Sequence, residues 1–251
     1  VGIVVPKEFI QIACVLGTLM IGAIYVPIDE EQPINRMKSI IDSARIKYIL
    51  SISDISVVST EELGCKNVIF VDEIKKDKLE NDDAVSIYNS SPSDLAYIIF
   101  TSGSTGIPKG VQITHMAANN TIKDINQRYD ISEKDSVLAL SKLNFDLSVY
   151  DIFGLLSVGG TIVFPNRKSY LDATHWSELL SKHAITVWNT VPSLMQMLLE
   201  GLEQKNEESI SLRVVLLSGD WIPVLMPSNI WKYNKETRII GLGGATEASI
   251  W

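Results

Sequence analysis

The sequence has little of what a protein held together by metals or disulfides needs. Two cysteines, Cys14 and Cys65, stand far apart in 251 residues with no CxxC spacing, which argues against a zinc site or disulfide framework and fits a reducing cytosol. The three histidines, His115, His175 and His183, never pair at metal-ligand spacing, so a catalytic metal held by histidine is not indicated. Basic residues are outnumbered, 22 Lys and Arg against 30 Asp and Glu for a formal net charge of -8. No global positive field therefore draws in nucleic acid or an anionic membrane. No internal repeat occurs, and 46% hydrophobic with 21% charged residues excludes a disordered tail, a collagen repeat or a coiled coil. A chain of this size buries roughly 70 to 75% of its unfolded surface, enough for a core without staples.

Long uncharged runs are also scarce, with one exception, Phe9 to Ile28. About 20 apolar residues would suffice to span a bilayer. Gln11, Gly17, Thr18, Gly22 and Pro27 interrupt this run, while Phe9, Ile12, Ala13, Leu16 and Met20 recur at helical spacing. The run therefore reads as a core helix followed by a short core strand. A secretory signal is not supported, since Lys7 is the sole basic residue ahead of it. The first residue is Val1, which reads as a chain excised from something longer.

Along the rest of the chain, helical apolar patterns alternate with short β-rich runs. Strands are expected at 2–5, 24–28, 47–51, 67–71, 95–100, 136–140, 161–164, 185–188, 212–217 and 237–240. Helices are expected at 33–44, 114–129, 170–182, 192–205 and 223–233. Strands that are apolar on both faces belong in sheets covered by helices, so the fold class is α/β with mostly parallel sheet. The segment 78–94 is the one linker-like stretch; a single domain is the default.

After the apolar run Leu95–Phe100 comes Thr101-Ser102-Gly103-Ser104-Thr105-Gly106-Ile107-Pro108-Lys109-Gly110. A strand opening into three glycines and four hydroxyls can set backbone N–H and side-chain O–H groups around phosphate oxygens, with Lys109 as a mobile cation. It is not a Walker A loop, because Lys109 lies between Pro108 and Gly110 instead of in Gly-Lys-Ser/Thr. The alternative is a flexible surface loop, but such loops rarely follow a buried strand and end in Pro-Lys-Gly.

This stretch resembles the phosphate-loop signature of the adenylate-forming superfamily, which includes acyl-CoA synthetases, luciferases and adenylation domains of nonribosomal peptide synthetases. Gly22-Ala23-Ile24-Tyr25-Val26-Pro27-Ile28-Asp29 is similar to an early motif of the peptide-synthetase domains. Phe145-Asp146-Leu147-Ser148 resembles their Phe-Asp-Xaa-Ser motif, and Gly243-Gly244-Ala245-Thr246-Glu247 their Tyr-Gly-Pro-Thr-Glu motif. The motifs stand in family order. The resemblance implies the large N-terminal subdomain of such an enzyme in part, residues 1–251, with the mobile C-terminal subdomain and its catalytic lysine lying outside the chain.

What the resemblance implies for chemistry is specific. Thr101, Ser102, Gly103, Ser104, Thr105, Gly106 and Lys109 would hold the β- and γ-phosphates of ATP. Gly243, Gly244 and Ala245 would line the nucleotide, Thr246 would contact the α-phosphate, and Glu247 would coordinate Mg²⁺. Lys109, Thr246 and Glu247 would be the catalytic members of this set. The family's aromatic that packs on adenine is Gly243 here, a version resembling adenylation domains that work beside heterocycle-forming domains.

Asp146 matches the carboxylate that pairs with a substrate ammonium; its plainer reading is a helix cap. Leu147, Tyr150, Asn189, Leu216, Ser218, Leu242, Ile250 and Trp251 complete a pocket set that looks like that of cysteine-activating domains, although each apolar member alone reads as core. Serine is the rival substrate. An acyl- or aryl-CoA ligase, or a non-catalytic nucleotide-binding remnant, are the further alternatives. The implied partners are a carrier domain bearing phosphopantetheine and a neighbouring condensation or cyclization domain, with no nucleic acid and no membrane, in the cytoplasm.

Overall fold

A computed structural model describes residues 1–55, 63–74, 87–102 and 108–251. Contacts divide the chain into two compact units, Val1–Ala117 and Ala118–Trp251. The division falls inside a helix, α3 (His115–Arg128), and not in the linker-like 78–94, of which 78–86 lie outside the described residues.

The first unit carries a four-stranded parallel sheet in the order β2-β1-β3-β4, with β1 at Gly2–Val4, β2 at Val26–Pro27, β3 at Ile49–Ser51 and β4 at Val68–Phe70. Helix α1 (Phe9–Met20) buries Gln11, Ile12, Cys14, Val15 and Thr18, which the 3.6-residue period places on one face. Of the expected stripe only Ile12 is buried, while Phe9, Ala13 and Met20 are exposed, because the stripe that faces the sheet is turned by one position toward Gln11 and Thr18. Its polar members are satisfied by main chain, Gln11 donating to Val5 O at 3.4 Å and Thr18 to Cys14 O at 2.7 Å. The uncharged run thus folds as a helix of 12 residues leading into β2. At ~1.5 Å per residue that helix falls well short of a ~30 Å hydrocarbon layer. Among the described residues no helix is long and apolar enough to cross a membrane. Helix α2 (Ile34–Ser43) packs Met37, Ile40 and Ile41 onto Val4, Val26 and Ile49. Both cysteines are buried and free, and burial pushes the Cys14 thiol up to about 11, leaving it protonated at neutral pH.

Beside this sheet an antiparallel hairpin joins β5 (Leu95–Ser102) to β6 (Pro108–Thr114). It departs from the expected run of parallel strands. Along Val111-Gln112-Ile113 burial alternates in, out, in, the period-2 signal of a half-covered strand; the Ser, Gly and Pro ahead of it disguise that signal in the sequence.

The second unit is a five-stranded parallel sheet, β11-β10-β9-β7-β8. Its strands are β7 (Ser136–Leu138), β8 (Thr161–Val163), β9 (Val187–Thr190), β10 (Val214–Leu217) and β11 (Arg238–Gly241). Helix α4 (Leu147–Val149) runs on as a π turn over Tyr150–Gly154; it was not anticipated, because three helical residues carry no period. Helices α5 (Ala173–His183), α6 (Pro192–Gln204) and α7 (Met226–Trp231) follow. Asp172 caps α5 by accepting from the Thr174 and His175 N–H groups, and Pro192 opens α6, the positions where these residue types relieve unpaired amides.

Register decides which side chains go where. Asn189 pairs with Leu216 and Trp188 with Val215, so alternate residues share a face. One face sends Trp188, Val215 and Leu217 into a core with Trp176, Met195, Leu198 and Leu202 from α5 and α6. The other carries Asn189 and Leu216, with Ser218 just beyond the strand. At the opposite ends of the strands, Asp135, 2% exposed, takes a two-pronged ion pair from Arg213 at 2.5 and 2.7 Å, with Thr186 donating at 2.7 Å. Arg213 also reaches the carbonyls of Tyr129 and Asp130 at 2.8 Å each, tying the end of α3 to β10.

Candidate functional site

The residues singled out in the sequence fall into two groups, one in each unit. In the first unit, Thr101 pairs with Lys109 and Ser102 with Pro108 across the hairpin. The ends of the Gly/Ser/Thr segment are therefore paired strand residues; Gly103, Ser104, Thr105 and Gly106 lie outside the described residues. Lys109 was read as a loop cation, and the structure corrects this: it sits on β6, exposed, with its carbonyl accepting from Thr101 Oγ1 at 3.4 Å. Strand placement fixes its backbone and leaves only the side chain to move.

In the second unit the structure gathers the other group at the carboxyl ends of β9, β10 and β11, where open parallel sheets take their ligands. Asp146 stands at the N-terminus of α4 without making a capping hydrogen bond, so the plain capping reading fails. Instead the Thr246 side chain lies within hydrogen-bonding reach of its carboxyl group. Burial raises the Asp146 pKa above the ordinary aspartate value, and the Thr246 hydroxyl only partly offsets this. A carboxylate held above its usual range by burial favours a cationic partner.

Leu147 and Tyr150 follow on the same turn. Tyr150 is fully buried, donates to Asn126 Oδ1 at 2.9 Å, and places its ring 5.1 Å from that of Trp251. Trp251 in turn donates from Nε1 to Ser218 Oγ at 3.1 Å. Asn189, from β9, donates to Leu147 O at 3.1 Å and to Asp151 Oδ1 at 2.8 Å. Leu216 is fully buried and Leu242, half-buried, follows β11 with its N–H on Leu217 O at 2.8 Å. Ile250 is buried. Asp151, an unanticipated member, is an acidic side chain fully buried within the π turn; its neighbourhood to Asn189 depends on a pairing 38 residues apart, which no local pattern reveals.

Two glycines shape this group. A Cβ at Gly244 would lie 2.3 Å from the Trp251 carbonyl carbon, so only glycine lets the two backbones cross. A Cβ at Gly154 would lie 2.8 Å from the Tyr150 ring. Gly243, by contrast, has nothing within 4 Å of a built Cβ. Ala245 and Glu247 are exposed, Thr246 and Glu247 beginning a short 3₁₀ turn, Thr246–Ala248. Among the described residues no group of three or more His, Cys, Asp and Glu side chains is placed to hold a metal.

The profile of the AMP-binding enzyme family matches residues 1–251. This chain belongs to that family. Over its whole length it is 43% identical to pyochelin synthetase PchF of Pseudomonas aeruginosa, of which it covers 14%, and 40% identical to bacitracin synthase 1 of Bacillus licheniformis, of which it covers 4%. The crystal structure of the nonribosomal peptide synthetase FmoA3 bound to α-methyl-L-serine-AMP matches all of the chain and 27% of its own with a TM-score of 0.88 at 33% identity; an AMPPNP-bound form matches with 0.87. The AMP-binding fold is thus the one described above, and the chain spans a small part of the relatives it matches.

Proposed function

We propose that this chain is the amino-acid-activating part of a nonribosomal peptide synthetase. It joins an amino-acid carboxylate to the α-phosphate of ATP, releasing pyrophosphate, for later transfer to the phosphopantetheine thiol of a carrier domain. The observation that carries this reading is Asp146, a partly buried carboxyl with a raised pKa, set beside Thr246 and next in the chain to Leu147, whose carbonyl accepts from Asn189. A carboxylate so placed pairs with an α-ammonium, the feature a fatty-acid or aryl-acid activator does not need.

By the resemblance, Thr101, Ser102, Gly103, Ser104, Thr105, Gly106 and Lys109 hold the β- and γ-phosphates in this reading. Thr246 hydrogen-bonds the α-phosphate as its charge grows. Mg²⁺ is held through one or two carboxylates plus phosphate oxygens, and Glu247 is an exposed carboxylate on the turn Thr246–Ala248. Glu247 would hold it, and the ion would offset charge on the phosphates.

L-cysteine is the substrate this pocket suits best. Tyr150, Leu216, Leu242 and Trp251 make it small, while Asn189 and Ser218 supply polar contacts for a thiol. Serine is the second reading, favoured by the α-methyl-L-serine-AMP bound to FmoA3; thiol and hydroxyl differ by about 1 to 3 kcal/mol of discrimination at such a site. A carrier domain and a condensation or cyclization neighbour in one large cytoplasmic enzyme are consistent with relatives several times longer than this chain. Asp146→Ala in the full synthetase tests the reading: amino-acid-dependent turnover is lost while ATP binding persists. Undiminished turnover would remove the amino-acid assignment.

A further inference from the structure

Asp151 and Asn189 are both fully buried. An amide NH₂ has two hydrogens, and Asn189 commits both, one to Leu147 O at 3.1 Å and one to Asp151 Oδ1 at 2.8 Å. Its carbonyl oxygen is buried with no hydrogen-bond partner among the described residues. Reversing the amide would set that oxygen against two acceptors, the Leu147 carbonyl and the Asp151 carboxyl, so the orientation is enforced. Asn189 shares its sheet face with Leu216 and Ser218, the face of the pocket. The enforcing carboxyl comes from the π turn Tyr150–Gly154, whose extra residue in the winding is a feature that recurs at functional sites.

We propose that Asp151 is a positioning residue: it orients the Asn189 amide so that its carbonyl oxygen, not its NH₂, meets the substrate side chain, selecting amino acids that carry a hydrogen-bond donor there. This rests on the amino-acid-activating reading above and deepens it. A thiol or hydroxyl satisfies the waiting acceptor, whereas a methyl of similar size seals it off from water unpaired. The fold tolerates an orphaned acceptor because the substrate completes it.

The test is amino-acid-dependent ATP–pyrophosphate exchange by the full-length synthetase with L-cysteine, L-serine and L-2-aminobutyrate, which replaces the donor by a methyl. The wild type favours the better of the two donors over 2-aminobutyrate by ~10-fold or more in kcat/KM. In Asp151→Asn the new NH₂ can donate to the Asn189 oxygen, so the enforced orientation and the waiting acceptor are both removed. The ratio then falls to within about threefold of unity, with 2-aminobutyrate exchange retained, while Asp151→Glu keeps an acceptor and keeps the preference. If Asp151→Asn does not fold, Asp151→Ser, whose hydroxyl can also donate, must lower the ratio in the same way. A wild type indifferent to the donor, an unchanged ratio in Asp151→Asn (or in Asp151→Ser where that one is used), or equal loss with all three amino acids overturns the role of Asp151 and leaves adenylation standing. Absence of exchange with every amino acid overturns both.

Discussion

The Trp251 indole donates to Ser218 Oγ at 3.1 Å while its ring packs 5.1 Å from that of Tyr150. A serine hydroxyl that accepts from an indole keeps its own hydrogen for another acceptor, so in the proposed pocket Ser218 would both anchor Trp251 and offer the substrate a donor. Ser218→Ala removes both. KM for the amino acid should rise about 5- to 10-fold, as for loss of one hydrogen bond, with kcat changed less than about twofold; steady-state exchange kinetics measure this, and an unchanged KM refutes it.

Asp146 leads to a prediction about pH. Its pKa is raised in the folded chain, first by burial, so the carboxylate proposed to bind an ammonium is lost as pH falls through a value above the ordinary one. The KM of the amino acid should climb on that acidic limb, and Asp146→Asn should abolish the limb and raise KM at neutral pH by about 30-fold or more. The stability sign is opposite. A raised carboxyl pKa costs folding free energy above the unfolded value, so Asp146→Asn should melt no lower than the wild type at pH 7. A lower melting temperature would show that the carboxylate stabilises the fold.

Asp135 behaves in the reverse sense. Burial opposes its charge, but Arg213, Thr186 and the Ser132 N–H outweigh burial and hold its pKa below the ordinary value. Its stabilisation is present at neutral pH and is lost as pH falls through the depressed value. Asp135→Ala leaves the third-exposed Arg213 guanidinium with only the Tyr129 and Asp130 carbonyls and should cost about 1 to 3 kcal/mol, or roughly 5 °C in melting temperature. A thermal melt that moves by less than about 2 °C would show that the pair is replaceable.

Gly243 and Gly244 part company. The open space around a Cβ at Gly243 admits a side chain, and the resemblance puts an adenine-stacking aromatic there. Gly243→Tyr should lower KM for ATP about fivefold or more, in line with base–aromatic stacking of ~1 to 3 kcal/mol. Gly244→Ala should impair folding, because the Trp251 backbone already occupies that space. Equal tolerance at both positions in expression and melting trials would contradict this.

The doubly covered parallel sheets were legible in continuous apolar runs such as Val214–Leu217, whereas the opposite facing of Trp188 and Asn189 came only with the strand register. The β6 strand was not legible, because Pro108, Lys109 and Gly110 read as loop until Thr101 and Ser102 pair with them. The candidate pocket residues were named through resemblance, one by one. What holds them was not: Thr246 beside Asp146, Asp151 beside Asn189 and Arg213 beside Asp135 are contacts across 38 to 100 residues, and only the strand order brings them together.

The most direct measurement is ATP–pyrophosphate exchange by the full-length synthetase across all common amino acids and salicylate. Amino-acid activation requires one dominant signal, with cysteine giving it. A serine signal would keep the chemistry and revise the pocket. Exchange with salicylate alone, or with no acid from folded protein that still binds ATP, would contradict amino-acid activation.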